Sequence, residues 1–189
     1  MIDQRKKIIV GVSGASGVIL AKKFLESLKL LDAESHLVVS DSAVKTWEYE
    51  TETDISSLIS LADYFYEYKD IAANISSGTF KTDGMIIIPC SMKTVAGINS
   101  GYSENLLLRA ADVTIKEKRK LMLLVREAPF SAIHLRNMYE LSQMGVSILP
   151  MVMSYYSSPR SICDMENQLI GKALDYFGFD NNVLKRWSK

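Results

Sequence analysis

Apolar and polar positions follow two periods along the chain, and the two alternate. Strand-like runs, in which most residues are apolar, lie at 7–12, 35–39, 84–89, 120–125 and 146–149. The segments between these runs have a helical period. In 17–31, for example, Val18, Ala21 and Leu25 share one face, while Lys22 lies elsewhere. This alternation predicts an α/β fold, in which helices cover both faces of a parallel sheet.

The sequence predicts a single domain over 1–189. No internal repeat and no Pro/Gly-rich linker divides the chain. Its 189 residues are 48% hydrophobic, which is enough to build a sizeable core.

Charge and cysteine content argue against several classes of partner. Twenty-two basic residues balance 22 acidic ones, so nothing indicates a nucleic-acid surface, and any phosphate site must be local. The longest apolar runs fall far short of the about 20 residues that a membrane span needs. The start, "MIDQRKK", has no signal-peptide core, and Cys90 and Cys163 lack CxxC spacing. We therefore expect a cytoplasmic protein with no metal, membrane or nucleic-acid partner.

The stretch "VGVSGASGV" follows the first strand, where ligands bind in open parallel sheets. Gly11, Gly14 and Gly17 permit a tight turn and a close approach of the backbone. Ser13 and Ser16 offer hydroxyls at a helix N-terminus, whose free N–H groups favour an anion. These serines stand where the dinucleotide fingerprint has its second and third glycines, which favours a single phosphate over a pyrophosphate. A glycine-rich turn without a ligand is the alternative.

Two further strand ends carry polar side chains. Ser40 follows the second strand, and Asp41 could either cap the next helix or bind a ribose hydroxyl. The third strand leads through Cys90 into "SMKT", which adds Ser91 and Lys93 as donors. No histidine lies near Cys90 in the sequence, so a buried structural thiol is favoured over a nucleophile.

Cations occur at two places in the second half of the chain. Arg109 and Lys116 are seven residues apart, which places them on one face of a predicted helix. Arg126 and Glu127 follow the apolar run "LMLLV". We expect them at the same edge of the sheet as the strand-end serines.

Six segments resemble, in order and over nearly the whole chain, the UbiX/Pad family of flavin prenyltransferases: "GVSGASGV", "SSGTF", "GMIIIPCSMKTVAGI", "RAADVTIKEKRKL", "VREAPFSAIHLRNM" and "YYSSP". The similarity to Pad-type members associated with phenolic-acid decarboxylases is closest in "KTDGMIIIPCSMKT". The resemblance implies a flavodoxin-like (Rossmann-like) fold and a homo-oligomer, typically a dodecamer, with active sites where subunits meet. It implies transfer of a dimethylallyl group from dimethylallyl phosphate to N5 and C6 of reduced FMN, without a metal. The product, prenylated FMN, would serve a UbiD-type decarboxylase.

The same resemblance implies roles for individual residues. Those expected at the flavin are Gly14, Ala15, Ser16, Ser40, Ser91, Met92, Lys93, Thr94 and Arg126. Glu50, in "ETE" where the family has "ETD", matches the catalytic acid/base. Those expected around the prenyl phosphate are Arg109, Lys116, Glu127, Tyr156 and Lys172, with Lys116, Glu127 and Tyr156 also expected to be catalytic.

Two departures from the family pattern leave alternatives open. Lys172 stands where the family has an arginine, so the charge is kept but the bidentate fork is lost. "MSYY" replaces "PAFY". A noncatalytic FMN-binding subunit of an aromatic-acid decarboxylase therefore remains an alternative. An FMN-dependent cysteine decarboxylase is another, although "PCSMKT" stands where that class has a "PASANT"-like segment.

The remaining aromatic residues and histidines are interpreted structurally. His36 and His134 are expected to be structural. Tyr64, Tyr66 and Tyr68 alternate in strand fashion, which predicts a sheet edge or a subunit contact. The tail at about 178–189 is expected to dock on a neighbouring subunit, although Trp187 within it could instead face the allyl group.

Overall fold

A computed structural model describes residues 5–187. Its strands are β1 (Lys7–Val12), β2 (Glu34–Val39), β3 (Tyr64–Tyr66), β4 (Gly84–Cys90), β5 (Lys120–Val125) and β6 (Ser147–Pro150). Its helices are α1 (Ile19–Leu30), α2 (Asp41–Glu50), α3 (Ser56–Ile59), α4 (Met92–Asn99), α5 (Leu106–Lys116), α6 (Ala132–Gln143) and α7 (Ile162–Tyr176). None of these helices is long and apolar enough to cross a membrane. Past Pro150 the chain forms a second compact unit, so the two units are described separately.

The first unit contains one parallel sheet in the order β3-β2-β1-β4-β5-β6. This is the doubly wound order, and the predicted α/β fold is confirmed. Winding reverses between β1 and β4, which are hydrogen-bonded neighbours. β4 is buried along its whole length, as expected for a strand that is covered on both faces.

The boundaries differ slightly from those that the sequence predicts. β2 begins at Glu34, β4 extends to Cys90 and β6 ends at Pro150, while α1 begins at Ile19. The tyrosine alternation does mark a sheet edge, because β3 contains Tyr64 and Tyr66 and pairs only with β2 among the described strands.

Polar caps set the start of four helices in this unit. The side chains of Ser40, Ser91, Asn105 and Ser131 each accept a hydrogen bond from a backbone N–H in the first turn of their helix. The cap of α2 is therefore Ser40, and the prediction that Asp41 caps this helix is wrong; Asp41 is the first helical residue.

The second unit consists of a 3₁₀ turn (Tyr155–Ser157), α7 and the tail behind it. Ser161 caps α7 in a capping box with Asp164. The tail folds back on this helix: Arg186 pairs with Asp175 at 2.9 Å, and Leu184 packs so closely on Gly171 that a side chain there would clash with it.

Candidate functional site

The carboxyl edge of the sheet holds a cavity of about 500 Å³ beside the reversal of winding. Four residues expected at the flavin line it: Ser40, Ser91, Lys93 and Thr94. A larger cavity of about 700 Å³ lies at the opposite, amino edge, among Arg5, Lys7 and Asp83. The carboxyl-edge cavity is the better candidate, because ligands of doubly wound sheets bind at the switch point on that side.

Backbone bonds fix the strand ends around this cavity. The amide of Ser40 donates to the Val12 carbonyl at 3.0 Å, and that of Arg126 donates to the Cys90 carbonyl at 3.2 Å. Between these bonds lies Ser13, whose hydroxyl donates to the Pro89 carbonyl at 3.0 Å.

Ser13 is 1% exposed and also accepts from the Ser91 amide at 2.8 Å. The prediction that its hydroxyl is offered to an anion is therefore wrong: Ser13 joins the end of β1 to the end of β4. Ser16 is exposed and remains available to a ligand.

Two hydroxyl pairs face the cavity. Ser40 Oγ lies 3.1 Å from Ser42 Oγ, and Ser91 Oγ lies 3.1 Å from Thr94 Oγ1. All four residues line the cavity. Met92 points away instead, is 7% exposed and packs in the core, so only its main chain is left to meet a ligand at this edge.

The glycine-rich turn brings Glu50 to the start of α1. Its carboxylate accepts from the amides of Gly17 at 2.8 Å and Val18 at 3.1 Å. The anion at this helix N-terminus is thus the protein's own side chain. On the other side of the turn, a Cβ on Gly14 would lie 2.5 Å from Ser42 Cβ, so α2 approaches the turn as closely as glycine permits.

Arg126 and Glu127 follow β5 at this same edge, as the sequence predicts. The Arg126 side chain is exposed, and Glu127 Oε1 accepts from the Ala128 amide at 3.1 Å.

Lys116 is not brought to this edge in a single chain. It is the last residue of α5, which precedes β5, and its neighbour Glu117 lines the amino-edge cavity with Lys7 and Asp83. Arg109, earlier on the same helix, donates to the Ser76 carbonyl at 3.2 Å and to Asp112 at 2.8 Å. Within one chain, Lys116 and Glu127 therefore lie at opposite edges of the sheet.

Tyr156 and Lys172 belong to the second unit. Tyr156 is 51% exposed, and its ring meets that of Trp187 edge to face with centroids 5.6 Å apart. Lys172 is exposed on α7. Hydrogen bonds from Arg186 hold the pKa of Asp175 below its ordinary value, and the charge of Lys172 adds to this effect.

The residues interpreted as structural are confirmed as such. Cys90 is fully buried, and burial raises the pKa of its thiol far above the ordinary range. His36 is 1% exposed with both ring nitrogens bonded, and His134 completes the capping box of α6 with Ser131.

Several residues of the cavity were not predicted from the sequence. They are Ser42, Tyr68, Asn99, Asn105, Arg136 and Asn137. Ser42 could have been predicted, because in "SDSA" it follows the strand-end Ser40 by two residues. The residues on α6 gave no signal, since only the fold brings that helix to α4. In residues 5–187, no three His, Cys, Asp or Glu side chains are grouped so that they could hold a metal ion.

The fold and this edge define a doubly wound α/β protein with a polar cavity suited to a phosphorylated cofactor. A flavoprotein family model matches residues 2–175. A probable UbiX-like flavin prenyltransferase of Sedimentibacter hydroxybenzoicus is 48% identical over 96% of both chains. The chain belongs to the flavoprotein family and, within it, to the UbiX-like flavin prenyltransferases.

Two solved structures are similar over nearly the whole chain. A UbiX protein crystallised with FMN and dimethylallyl pyrophosphate is 45% identical, covers 98% of this chain and 99% of its own, and has a TM-score of 0.97. A dodecameric FMN-dependent UbiX-like decarboxylase of Escherichia coli O157:H7 is 46% identical, with coverages of 97% and 100% and a TM-score of 0.94.

Proposed function

We propose that this protein is a flavin prenyltransferase. It transfers the dimethylallyl group of dimethylallyl phosphate to N5 and C6 of reduced FMN, and a UbiD-type decarboxylase uses the prenylated FMN. The observation that carries the proposal is the carboxyl-edge cavity at the switch point, with its two hydroxyl pairs and Lys93. It fits the names of the relatives and the ligands of the solved UbiX protein.

FMN suits the residues at this edge. Its phosphate would be held by hydroxyls and free amides of the strand-end segments, at Gly14–Ser16, Ser40 and Ser91–Thr94, with Arg126 adding charge. The cavity of about 500 Å³ is of the size that cofactor sites have. Reduced FMN supplies the electron-rich ring that takes the prenyl group.

The donor phosphate needs cations, because breaking the allylic carbon–oxygen bond leaves an anion. We assign this task to Arg109, Lys116 and Lys172, with the Tyr156 hydroxyl as a further donor. In a site without bulk water, each such donor is worth about 3 kcal/mol in the transition state. Lys172 lacks the planar fork of an arginine, so we expect looser orientation of the phosphate there.

Lys116 and Glu127 lie at opposite edges of one chain, which supports an active site completed by a second copy. A homo-oligomer is therefore part of the proposal, and the dodecameric relative fits it. We propose that 1–189 acts as one flavoprotein domain and that its tail docks on the neighbouring copy. Trp187, 72% exposed, would be a contact there; residues 188–189 lie outside the described chain.

Glu50 is assigned the proton transfer, either to the leaving phosphate or from C6 of the ring. Its carboxylate is held beside the glycine-rich turn by the amides of Gly17 and Val18. A carboxylate fixed in this way is ready to accept a proton without first being ordered. Glu127 is placed at the same edge and would stabilise the cation-rich phosphate pocket.

The reaction can be tested by incubating the protein anaerobically with reduced FMN and dimethylallyl phosphate. Mass spectrometry should find a flavin that is heavier by one C5H8 unit. Running the same assay with the diphosphate identifies the preferred donor. A flavin of unchanged mass with both donors, from protein that still binds FMN, would favour the noncatalytic binding subunit that Lys172 leaves open.

Glu50→Gln separates chemistry from binding. We expect prenyl transfer to slow by about 100-fold or more, because the amide cannot move a proton. FMN affinity should change little, since the Gln oxygen can still accept from the two amides. Full activity of this variant would remove Glu50 from its assigned role.

We also propose that the protein acts in the cytoplasm. Cys90 and Cys163 do not form a disulfide with each other, as is typical of a reducing compartment. Cell fractionation with an antibody against the native chain tests this location.

A further inference from the structure

Residues 76–80, which carry "SSGTF", form a loop that is held by its carbonyl oxygens. Arg109 donates to the Ser76 carbonyl at 3.2 Å, while Arg119 donates to those of Gly78 at 2.6 Å and Phe80 at 2.8 Å. Both arginines come from the "RAADVTIKEKRKL" segment. The loop backbone is therefore fixed against the end of α5 from two sides.

Lys116 and Glu117 form an ion pair directly over Gly78 in this loop. Lys116 Nζ donates to Glu117 Oε1, and the side chains are 46% and 35% exposed. A Cβ on Gly78 would lie 2.8 Å from Lys116 Nζ and 2.8 Å from Glu117 Cδ. Gly78 lies outside the left-handed region, so what it gives here is room for the ion pair rather than a special backbone conformation.

We propose that Glu117, which packs against Gly78, is a positioning residue that holds the Lys116 ammonium in place for the donor phosphate. This inference rests on the proposed function, in which Lys116 binds that phosphate. A lysine has a long flexible stem, so an ammonium that is already fixed loses less conformational freedom when the anion arrives. It has three donors, of which Glu117 takes one and leaves two for phosphate oxygens.

The same carboxylate could act in the opposite direction. A negative charge beside Lys116 competes with an incoming phosphate and repels it. Positioning and competition predict opposite effects of removing the Glu117 charge on donor affinity, so the direction of the change decides between them. Gly78 offers a second route to the same pair, because a methyl group there displaces only the flexible ends of the two side chains.

The test is calorimetric titration of dimethylallyl phosphate into protein loaded with oxidised FMN, in which no transfer occurs. We expect Glu117→Gln and Gly78→Ala each to raise the dissociation constant of the donor about fivefold, the upper range for an exposed ion pair. The double variant should bind no more weakly than either single one, because both act through one pair. In a Lys116→Met background, Glu117→Gln should have no further effect.

Glu26→Gln is the matched control. It removes a carboxylate from another exposed ion pair, with Lys22 on α1, and should leave donor affinity unchanged. Unchanged donor affinity of Glu117→Gln would overturn the inference and show that Glu117 has no role in donor binding. Tighter donor binding would overturn it in favour of competition. So would a Glu117→Gln effect that persists without Lys116.

A measurement without ligand separates this inference from the proposed function. Acetic anhydride should modify Lys116 several-fold faster in Glu117→Gln and Gly78→Ala than in the unaltered protein, as read on the Lys116 peptide by mass spectrometry. Equal rates would show that Glu117 does not hold Lys116 in solution and would overturn the inference. Failure of the unaltered protein to bind the donor at all would instead contradict the proposed function.

Discussion

His36 is a buried titratable residue for which the proposed reaction has no use. Its Nε2 lies 2.9 Å from Glu34 Oε1 and its Nδ1 lies 3.0 Å from the Tyr66 hydroxyl, while its ring stacks on Tyr64 at 4.9 Å. Burial lowers the pKa of His36, and the hydrogen bond to Glu34 opposes this only in part. Lys7, which pairs with Glu34, also acts to lower it.

This pKa predicts how stability depends on pH. The unfolded chain takes up a proton at His36 as the pH falls through about 6.5, whereas the folded chain does not until a lower pH. The free energy of unfolding should therefore decrease as the pH falls from about 7.5 to about 5.5, a range in which carboxylates stay ionised. Urea unfolding at several pH values measures the slope.

His36→Gln is the variant that isolates this effect. It will be less stable at every pH because it loses the ring stacking, but the slope that His36 contributes should vanish. The other histidine of the chain, His134, is unaltered in both proteins and cancels in the comparison. An identical slope in the variant would show that another group causes the pH dependence.

Residue types and spacing were enough to find the polar strand ends, but not the direction of each side chain. Ser13 and Ser16 are indistinguishable in "GVSGASGV", yet Ser13 is buried between strands and Ser16 is exposed. The burial of Cys90 could be predicted, because a continuous apolar run leads into it. The packing of the Lys116–Glu117 pair against Gly78 could not be predicted, because it joins segments that are 38 residues apart in the chain.

At the scale of elements, Ser13 joins β1 to β4 at the reversal of winding. Replacing it with alanine leaves the Ser91 amide without its acceptor, while the Pro89 carbonyl keeps the bond from the Ser13 amide. We expect Ser13→Ala to lower the free energy of unfolding by about 1 kcal/mol, the net contribution of one hydrogen bond whose donor is half-buried. FMN affinity should fall as well, because Ser91 caps α4 beside the cavity.

Ser27→Ala is the control for this variant. Ser27 is 9% exposed, and its hydroxyl donates only back to the Lys23 carbonyl within α1. Its loss should change the free energy of unfolding by no more than about 0.5 kcal/mol, because a serine bond back to the carbonyl one helical turn earlier adds little to a helix. Equal stability of the two variants in urea would show that the Ser13 bonds do not hold the strand ends together. Ser13→Thr, which keeps the hydroxyl, should recover most of the loss.

The hydrophobic pattern predicted the bounds of the long strands better than those of the shortest strand, β3. β1 and β5 were predicted to the residue, because five uncharged, mostly branched apolar residues behind a lysine mark a strand covered on both faces. β3 has only three residues and two of them are exposed, so its pattern indicated an edge without fixing its bounds. Pairing order is not a local property, which is why the reversal between β1 and β4 became visible only in the fold.

At the scale of the whole molecule, one chain keeps Lys116 and Glu127 at opposite edges of its sheet. If neighbouring copies complete the site, Lys116→Met and Glu127→Gln chains should each be inactive alone. Co-expressed, they should regain about a quarter of the unaltered activity, because random assembly of two chain types leaves that share of sites whole. The mass increase of the flavin serves as the measurement.

The mixture of the two variants also has a clear negative outcome. If both residues served the same site from one chain, no mixed site would be intact and the activity would stay at the level of the single variants. Mixing Lys116→Met chains with chains carrying Arg109→Met provides the comparison. Both residues lie on α5 and would reach the same neighbouring site, so little recovery is expected from that pair.

Cys90 stands at the end of β4, one residue before Ser91, and none of its surface is accessible. The proposed chemistry creates an allylic electrophile at this same edge, where an open thiolate would be alkylated by the enzyme's own intermediate. The Cys90 sulfur is buried and stays protonated, so the enzyme avoids inactivation by alkylation at this position. The protein should thus survive many turnovers without carrying a prenyl adduct on Cys90.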